Sequence, residues 1–258
     1  MCLIAWNWQP HSSMPLLLLF NRDEFYARPA LPLHWWEEGD GPSILAGKDL
    51  RAGGTWLGLS RSGRLAAITN FRAGNPVPSD KPSRGELVAT FLRSDLDATT
   101  YLQQLAAHAT DYRPFNLLVY DGTTLMGLES RGAKLVHMQP GIGAVSNADF
   151  ETPWPKVVQL RQRLEDQIAR NRIDPADLLP LLQDTTQAPD ADLPNTGVTK
   201  ERERVLSATF VKTADDGTRS CNVIEIRANH ARFTETSFGP QGLLQVSQEQ
   251  FELQSTKI

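Results

Sequence analysis

The chain has 258 residues, of which 40% are apolar and 22% are charged, and its formal net charge is -4 at neutral pH. This apolar content is sufficient for a packed core and argues against intrinsic disorder. An acidic chain lacks the excess of Lys and Arg that a phosphate backbone attracts, so nucleic acid is not an expected partner.

The cysteine content indicates a reducing compartment. Cys2 and Cys221 are too few for a disulfide framework, and neither belongs to a CxxC pair. Near the N-terminus the only continuous apolar run, 16–20, is shorter than a secretory core or a membrane-spanning helix. We therefore expect a cytoplasmic protein that is not inserted in a membrane.

Hydrophobic periodicity predicts strands first. Residues 2–8 and 15–20 form a predicted hairpin around a polar turn, and 55–60 and 64–70 form a second one around Gly63. The helical spacing that follows predicts two helices between residues 83 and 109. Four more strands are predicted, at 115–120, 124–129, 135–138 and 143–147.

The C-terminal part repeats this order of helices and then strands. A long amphipathic helix is predicted to start near Trp154, and a shorter one covers 174–183 with Asp174 as its cap. The Pro- and Asp-rich segment 184–199 predicts a loop, and a lid is one interpretation of it. Further strands are predicted at 208–212, 220–227 and 232–237. The whole chain, 1–258, is thus expected to be one α+β domain of two packed antiparallel sheets with helices outside.

Cys2 is the first candidate for chemistry. Removal of Met1 would leave a cysteine whose thiol and free α-amine both have ordinary pKa values near neutrality. One residue would then supply a nucleophile and its base. The alternative is that Cys2 is a small apolar residue at the start of an edge strand.

Four polar residues, Asn21 to Glu24, follow the apolar run that ends at Phe20. In the predicted hairpin they lie beside Cys2, where Arg22 would favour the thiolate and a carboxylate would hold the α-amine. Alternatively, the segment is a solvated turn closed by an Arg–carboxylate pair.

Eight blocks of sequence carry a resemblance to a known family. They are MCLI at 1–4, NRDEFYARP at 21–29, AGGTWLG at 52–58, TNFR at 69–72, SRGELV at 83–88, FNLLVYD at 115–121, SNADFETPWPK at 146–156 and GTRSCNVI at 217–224. In this order they resemble the NRDE family, also called the transport and Golgi organisation protein two family. The resemblance implies the four-layer α-β-β-α sandwich of the N-terminal-nucleophile hydrolases, with Cys2 at the position of the nucleophile.

The resemblance also implies roles for the polar residues. Asn70 would donate to an oxyanion, Asn147 would hold the amine or the oxyanion, and Arg219 would border the nucleophile. Because Arg22 and Asp23 are adjacent here, whereas the hydrolases space them as R-x-x-D, either Asp23 or Glu24 would hold the amine. The expected catalytic residues are Cys2, Arg22, Asp23, Asn70, Asn147 and Arg219, and the expected substrate-binding residues are Asn21, Glu24, Gly54 and Trp56.

Other signals are weaker. Gly53 and Gly54 predict a turn with positive φ or a close approach of substrate, and Trp35 and Trp36 are interpreted as anchors in a loop or as pocket lining. Cys221 is two residues from Arg219 and so shares its predicted face, within possible reach of Cys2, although a buried, inert thiol is favoured. The five histidines show no metal-binding spacing, so no metal is expected.

Two functions remain open from the sequence. The first is hydrolysis of an amide, ester or thioester through an acyl-Cys2 intermediate. The second is binding or trafficking without turnover, because the resemblance also implies haem trafficking and lipid metabolism, with an acyl, lipid or haem ligand. No cofactor is expected apart from haem as a bound ligand, for which Cys2 or a histidine would be the axial ligand.

Overall fold

The computed structural model describes residues 2–36, 43–74, 80–150 and 152–254. Its strands are β1 (Cys2–Trp8), β2 (Leu16–Phe25), β3 (Ala30–Trp36), β4 (Ile44–Asp49), β5 (Leu57–Ser60), β6 (Leu65–Asn70), β7 (Phe115–Tyr120), β8 (Leu125–Glu129), β9 (Lys134–His137), β10 (Gly141–Val145), β11 (Asp216–Ile226), β12 (His230–Gly239) and β13 (Gly242–Glu252). Its α-helices are α1 (Gly85–Arg93), α2 (Ala98–Ala106), α3 (Pro155–Ala169), α4 (Pro175–Leu182) and α5 (Lys200–Leu206).

The strands form two antiparallel sheets. The first has six strands in the order β10-β1-β2-β11-β12-β13, and the second has seven in the order β3-β4-β5-β6-β7-β8-β9. The first sheet therefore joins the N-terminal hairpin to strands from the C-terminal part of the chain. The hairpin is central to this sheet because β10 pairs with β1 and β11 pairs with β2.

Side-chain alternation in the hairpin explains the layers. Ile4 and Phe20 belong to the core between the sheets, whereas Leu3 and Leu19 pack into a second core with α3 and α4. Both faces are buried, which is why 16–20 is apolar without interruption. Helices α1 and α2 pack against the second sheet. The expected four-layer α-β-β-α arrangement of the N-terminal-nucleophile hydrolases is confirmed.

Strand β2 is longer than predicted. It continues through the polar residues Asn21 to Glu24 and ends at Phe25, so this segment is not a turn after the strand. Backbone pairing with β11 extends to Phe25 and Asp216, and it satisfies the peptide groups of the polar residues inside the sheet. The side chains of 21–24 consequently alternate between the two faces.

Several elements differ from the sequence prediction. The predicted strand at 208–212 is wrong, because this segment turns and makes only an isolated bridge between Lys212 and Gly217. Strands β3, β4 and β13 and helix α5 were not predicted, since their patterns are irregular or mostly polar. Trp36 ends β3 and is buried in the core, and Trp35 packs on Phe251, so both are anchors in a strand and not in a loop.

Helices α3 and α4 agree with the helical periodicity of the sequence. Helix α3 begins at Pro155, directly after Trp154. Asp174 is the N-cap residue of α4, but its side chain makes no capping bond and accepts a hydrogen bond from Arg232 instead. Within the described residues, no helix combines the length and the apolar character that crossing a membrane would require.

Candidate active site

A cavity of about 350 Å³ opens where β1 and β2 meet the start of α1. Seven of the residues singled out in the sequence line it: Cys2, Arg22, Asp23, Glu24, Gly54, Trp56 and Asn70. They come from the beginning of β1, the end of β2, the segment before β5 and the end of β6. The fold thus brings four separate sequence blocks to one concave surface.

Arg22 is the neighbour of Cys2 across the hairpin. The antiparallel register pairs Cys2 with Arg22, so both side chains leave the sheet on the same face. The Arg22 guanidinium lies 3.8 Å from the centre of a Trp56 ring, and its Nη2 atom is 3.4 Å from the Asp49 carboxylate. Stacking and ion pairing together hold this buried cation in the wall of the cavity.

The environment of Cys2 keeps its thiol protonated. Burial raises the pKa of the Cys2 thiol above its ordinary value, and this effect exceeds the opposing influence of the N-terminal ammonium group, the Arg22 charge and the Asp23 backbone N–H. The sulfur is therefore a neutral thiol at pH 7, and it needs a base before it can act as a nucleophile.

Asp23 leaves β2 on the other face, towards α3. Thr218 donates a hydrogen bond of 2.7 Å to its carboxylate, and burial raises the pKa of Asp23 while the charge of Lys156 opposes that rise. Lys156 is itself fully buried, and burial lowers its pKa to about 8. The sequence reasoning missed Lys156, although it is the last residue of the SNADFETPWPK block.

The second acidic residue of the motif has other partners. The Glu24 carboxylate lies 3.8 Å from the Nε of Arg28, and it also accepts a hydrogen bond from the backbone of Phe25. Arg28 makes a closer contact of 2.5 Å with Asp49. The sequence analysis also missed Asp49, whose position just before the Gly-containing turn is the one feature of the sequence that could have indicated it. In the structure its carboxylate accepts hydrogen bonds from the backbone N–H groups of Arg51 and Ala52.

The two asparagines occupy different positions. Asn70 lines the cavity, and within the described part of the chain its side-chain amide has no hydrogen-bond partner. Asn147 is completely buried and donates from its Nδ2 to the backbone oxygen of Asn70 at 2.8 Å. The neighbouring Ser146 donates to the Asn147 side chain and to the backbone oxygen of Cys2. Asn147 therefore holds the strand end that presents Asn70.

Besides Asn147, two more predicted residues do not line the cavity. Asn21 faces the helices, and its amide nitrogen donates to the backbone oxygens of Leu182 and Thr209. Arg219 donates to four backbone oxygens, and it lines a smaller cavity of about 90 Å³ that shares Arg22 and Trp56 with the larger one. Arg219 is thus separated from Cys2 by Arg22.

Gly53 and Gly54 are required for two different structural reasons. Gly53 adopts a φ of 76°, as a turn with positive φ requires. Gly54 is instead needed for space, because a Cβ atom there would lie 2.4 Å from the carbonyl carbon of Gly85. This close approach sets the start of α1 against the cavity.

Cys221 is on the opposite side of the sheet from Cys2. It pairs with Asn21 in the register of β11 and β2, and it belongs to the core under the helices. Burial raises its pKa well above the ordinary value. The prediction that Cys221 shares the face of Arg219 is wrong, because the register shifts between Thr218 and Ser220 and this bulge breaks the alternation.

The architecture matches a known fold. The fold is similar to that of the C2A mutant of the conjugated bile acid hydrolase from Clostridium perfringens, with a TM-score of 0.53 at 9% sequence identity. The match covers 99% of this chain and 97% of that one. The chain has the α+β fold of the N-terminal-nucleophile hydrolases, with Cys2 at the cavity between its two sheets.

Sequence relationships then identify the family. The family model described as Transport and Golgi organisation 2 matches residues 1–240. A homologue from Mus musculus is 34% identical over 259 residues, and one from Bos taurus is 36% identical over 261 residues. Each alignment covers 92% of this chain and 93% of the relative. The chain belongs to the Transport and Golgi organisation 2 family.

Proposed function

We propose that this protein hydrolyses a small acyl amide, ester or thioester through an acyl intermediate on Cys2. One observation carries the proposal: the thiol of Cys2 and the unpartnered amide of Asn70 line the same cavity. A nucleophile beside a hydrogen-bond donor is the minimal arrangement for attack on a carbonyl and stabilisation of the oxyanion that forms.

The base is the α-amine of Cys2 after Met1 has been removed. Because Cys2 pairs with Arg22, its backbone nitrogen lies beside the Arg22–Asp23 part of β2. Asp23 is favoured as the carboxylate that orients this amine, since Glu24 is one residue further and already bonds to the Phe25 backbone. Thr218 then fixes the position of Asp23, and the charge of Lys156 favours the ionised form of its carboxyl group.

Acylation begins when the amine takes the proton of the Cys2 thiol. The sulfur attacks the carbonyl carbon, and the negative charge that develops on the carbonyl oxygen is stabilised by the Asn70 amide. When the intermediate collapses, the bond from carbon to the leaving nitrogen, oxygen or sulfur breaks. The ammonium group returns its proton to the leaving group, and a thioester on Cys2 remains.

Deacylation repeats these steps with water. The amine takes a proton from water, the resulting hydroxide attacks the thioester carbon, and Asn70 again stabilises the oxyanion. The carbon–sulfur bond breaks, the acid is released and the Cys2 sulfur recovers its proton from the ammonium group. No redox partner is consumed in either half of the cycle.

Intact mass spectrometry of the protein with para-nitrophenyl acyl esters tests this proposal. We expect a mass lacking Met1, a transient acyl adduct on Cys2 and steady release of nitrophenol. Cys2→Ala should abolish turnover, and Cys221→Ser, on the opposite face, should retain it. A chain extended before Cys2 so that the amine is blocked should also lose turnover while its thiol still reacts with iodoacetamide.

Ligand binding without turnover is the second candidate. The burial that raises the pKa of the Cys2 thiol favours it, because a protonated thiol leaves a bound acyl compound intact. In that case the processed protein would bind acyl compounds but release no product over many hours. Product release that depends on both Cys2 and its free amine would exclude this alternative.

A further inference from the structure

The cavity beside Cys2 is cationic, although the chain as a whole is acidic. Among the described residues, six that are Arg or Lys but only three that are Asp or Glu line it, against a formal net charge of -4 for the protein. Positive charge is therefore concentrated in this cleft of an acidic protein. It raises the local concentration of anions.

The carboxylates of the cavity already have partners. The Asp49 carboxylate forms ion pairs with Arg22 and Arg28, and the Glu24 carboxylate forms one with Arg28. The Asp23 side chain is directed to Thr218 on the helix side of the sheet. The acidic side chains thus neutralise the cations on one wall of the cavity, which is formed by β2 and the end of β4.

The wall formed by 81–84 has no comparable neutralisation. Arg84 donates to the backbone oxygen of Pro114 at 3.0 Å, and Lys81 donates to the backbone oxygens of Thr110 and Tyr112. Within the described residues, neither side chain makes an ion pair with a carboxylate. Burial, and then the nearby charge of Arg113, lowers the pKa of Arg84 to about 10.

The backbone keeps this wall in place. The Gly85 carbonyl accepts a hydrogen bond of 3.1 Å from Thr55, and Gly54 packs against Gly85 with no room for a side chain. Arg84 is the residue immediately before α1, so its guanidinium projects from a fixed helix start. A preorganised cation without a counter-ion binds an anion at little conformational cost.

We propose that the ligand of this cavity carries an anionic group, a carboxylate or a phosphate, which pairs with Arg84 and Lys81 while its acyl carbon is near Cys2. This inference deepens the proposed function by assigning a substrate class to the same site. Arg84 acts as a binding residue, and its planar guanidinium is suited to two parallel hydrogen bonds with either kind of anion.

Equilibrium binding tests the inference without any chemical step. Calorimetry with glutarate, inorganic phosphate and neutral glutaramide should show binding of at least one anion and none of glutaramide. Arg84→Gln should weaken anion binding about tenfold, Arg84→Lys should weaken it less, and added salt should weaken it further. Lys81→Gln provides a second variant in case Arg84→Gln fails to fold. Arg161→Gln, an exposed change of equal charge on α3, should have no effect.

A kinetic comparison relates this binding to turnover. The ratio of kcat/KM for mono-para-nitrophenyl glutarate to that for para-nitrophenyl pentanoate should exceed one and should fall about tenfold in Arg84→Gln. Anion binding without hydrolysis would leave the inference standing and remove the proposed hydrolase. Hydrolysis with no anion binding, or with equal ratios in wild type and Arg84→Gln, would overturn the inference alone.

Discussion

Cys2 and Arg22 lie directly opposite each other in the pairing of β1 with β2, and both project into the space between the sheets. The pairing within this one hairpin is enough to place a guanidinium beside the thiol. Arg22 is held there by Trp56 and Asp49, so its charge acts on Cys2 from a fixed position.

The reactivity of the Cys2 thiol should increase with pH. Its pKa is raised, so less thiolate is present at pH 7 than in a free cysteine, and alkylation by iodoacetamide should accelerate from pH 7 to pH 10. Arg22→Gln removes a charge that lowers this pKa and should slow the reaction at each pH. Mass spectrometry in a Cys221→Ser background measures the rates. A rate that is already constant below pH 8 would contradict the raised pKa.

The two asparagines should respond differently to replacement by alanine. Asn70→Ala should lower kcat about 10²- to 10³-fold, as loss of an oxyanion donor does, with little change in thermal stability. Asn147→Ala should cost about 1–3 kcal/mol of unfolding free energy, because it removes the fully buried amide that donates to the partly buried backbone oxygen of Asn70. Steady-state kinetics and urea denaturation of both variants separate the effects, and equal destabilisation of both would refute the assignment.

Lys156 should make stability depend on alkaline pH. Its pKa is about 8 in the folded protein and is higher when unfolded, so between these values the unfolded chain binds more protons and stability rises with pH. Relative to Lys156→Met, the wild type should gain about 1 kcal/mol of unfolding free energy between pH 7 and pH 9. Urea denaturation of both proteins measures the difference, and a constant difference would show that the lysine is not desolvated.

The buried ion pair between Arg72 and Glu203 should contribute to the integrity of the site. Its atoms are 3.0 Å apart, and Arg72 also stacks on Trp154 and bonds through its backbone to Asn147. Glu203→Gln should cost about 3–5 kcal/mol, because it leaves a buried guanidinium unpaired. The more exposed pair between Arg172 and Asp177 provides the control, and its loss should cost about 1 kcal/mol or less.

Gly54 tests whether close packing positions the start of α1. Gly54→Ala would force a Cβ atom to within 2.4 Å of the Gly85 carbonyl carbon, and both segments would have to separate. We expect a lower melting temperature together with weaker anion binding. Gly122→Ala is the control, because the added Cβ atom there has no neighbour within 4 Å and the substitution strains only a backbone with positive φ. It should leave anion binding unchanged. Normal binding by Gly54→Ala would contradict this role.

Much of the fold was predictable because its signals are local. Apolar alternation predicted β1, β6 and β7 closely, and helical spacing predicted α3. Strands β3 and β13 were missed because their residues are mostly half-buried or exposed, so neighbouring residues along the chain carry little periodic signal. At 208–212 a strand was predicted where none exists, because the apolar residues of this segment are buried in a turn.

The site was only partly predictable, for a different physical reason. The position of Cys2 and its proximity to Arg22 follow from one hairpin, in which partners are close in sequence. Asp49, Arg84 and Lys156 are brought to the site by separate elements, and no spacing in the sequence relates them to Cys2. Their importance depends on burial and on the charges around them, which the order of residues does not specify.

The order of the layers, the N-terminal hairpin, the candidate nucleophile and the family of the chain can all be inferred from residues that are close together in the sequence. Which polar side chains face the cavity depends instead on pairing between strands that are far apart in the sequence. Strand β11, almost 200 residues along the chain from β2, extends that strand through its polar residues, and a bulge in β11 turns Arg219 and Cys221 to different faces. Because a strand reverses its side-chain directions with every residue, such distant pairing determines whether each polar group meets substrate, a partner or the protein interior.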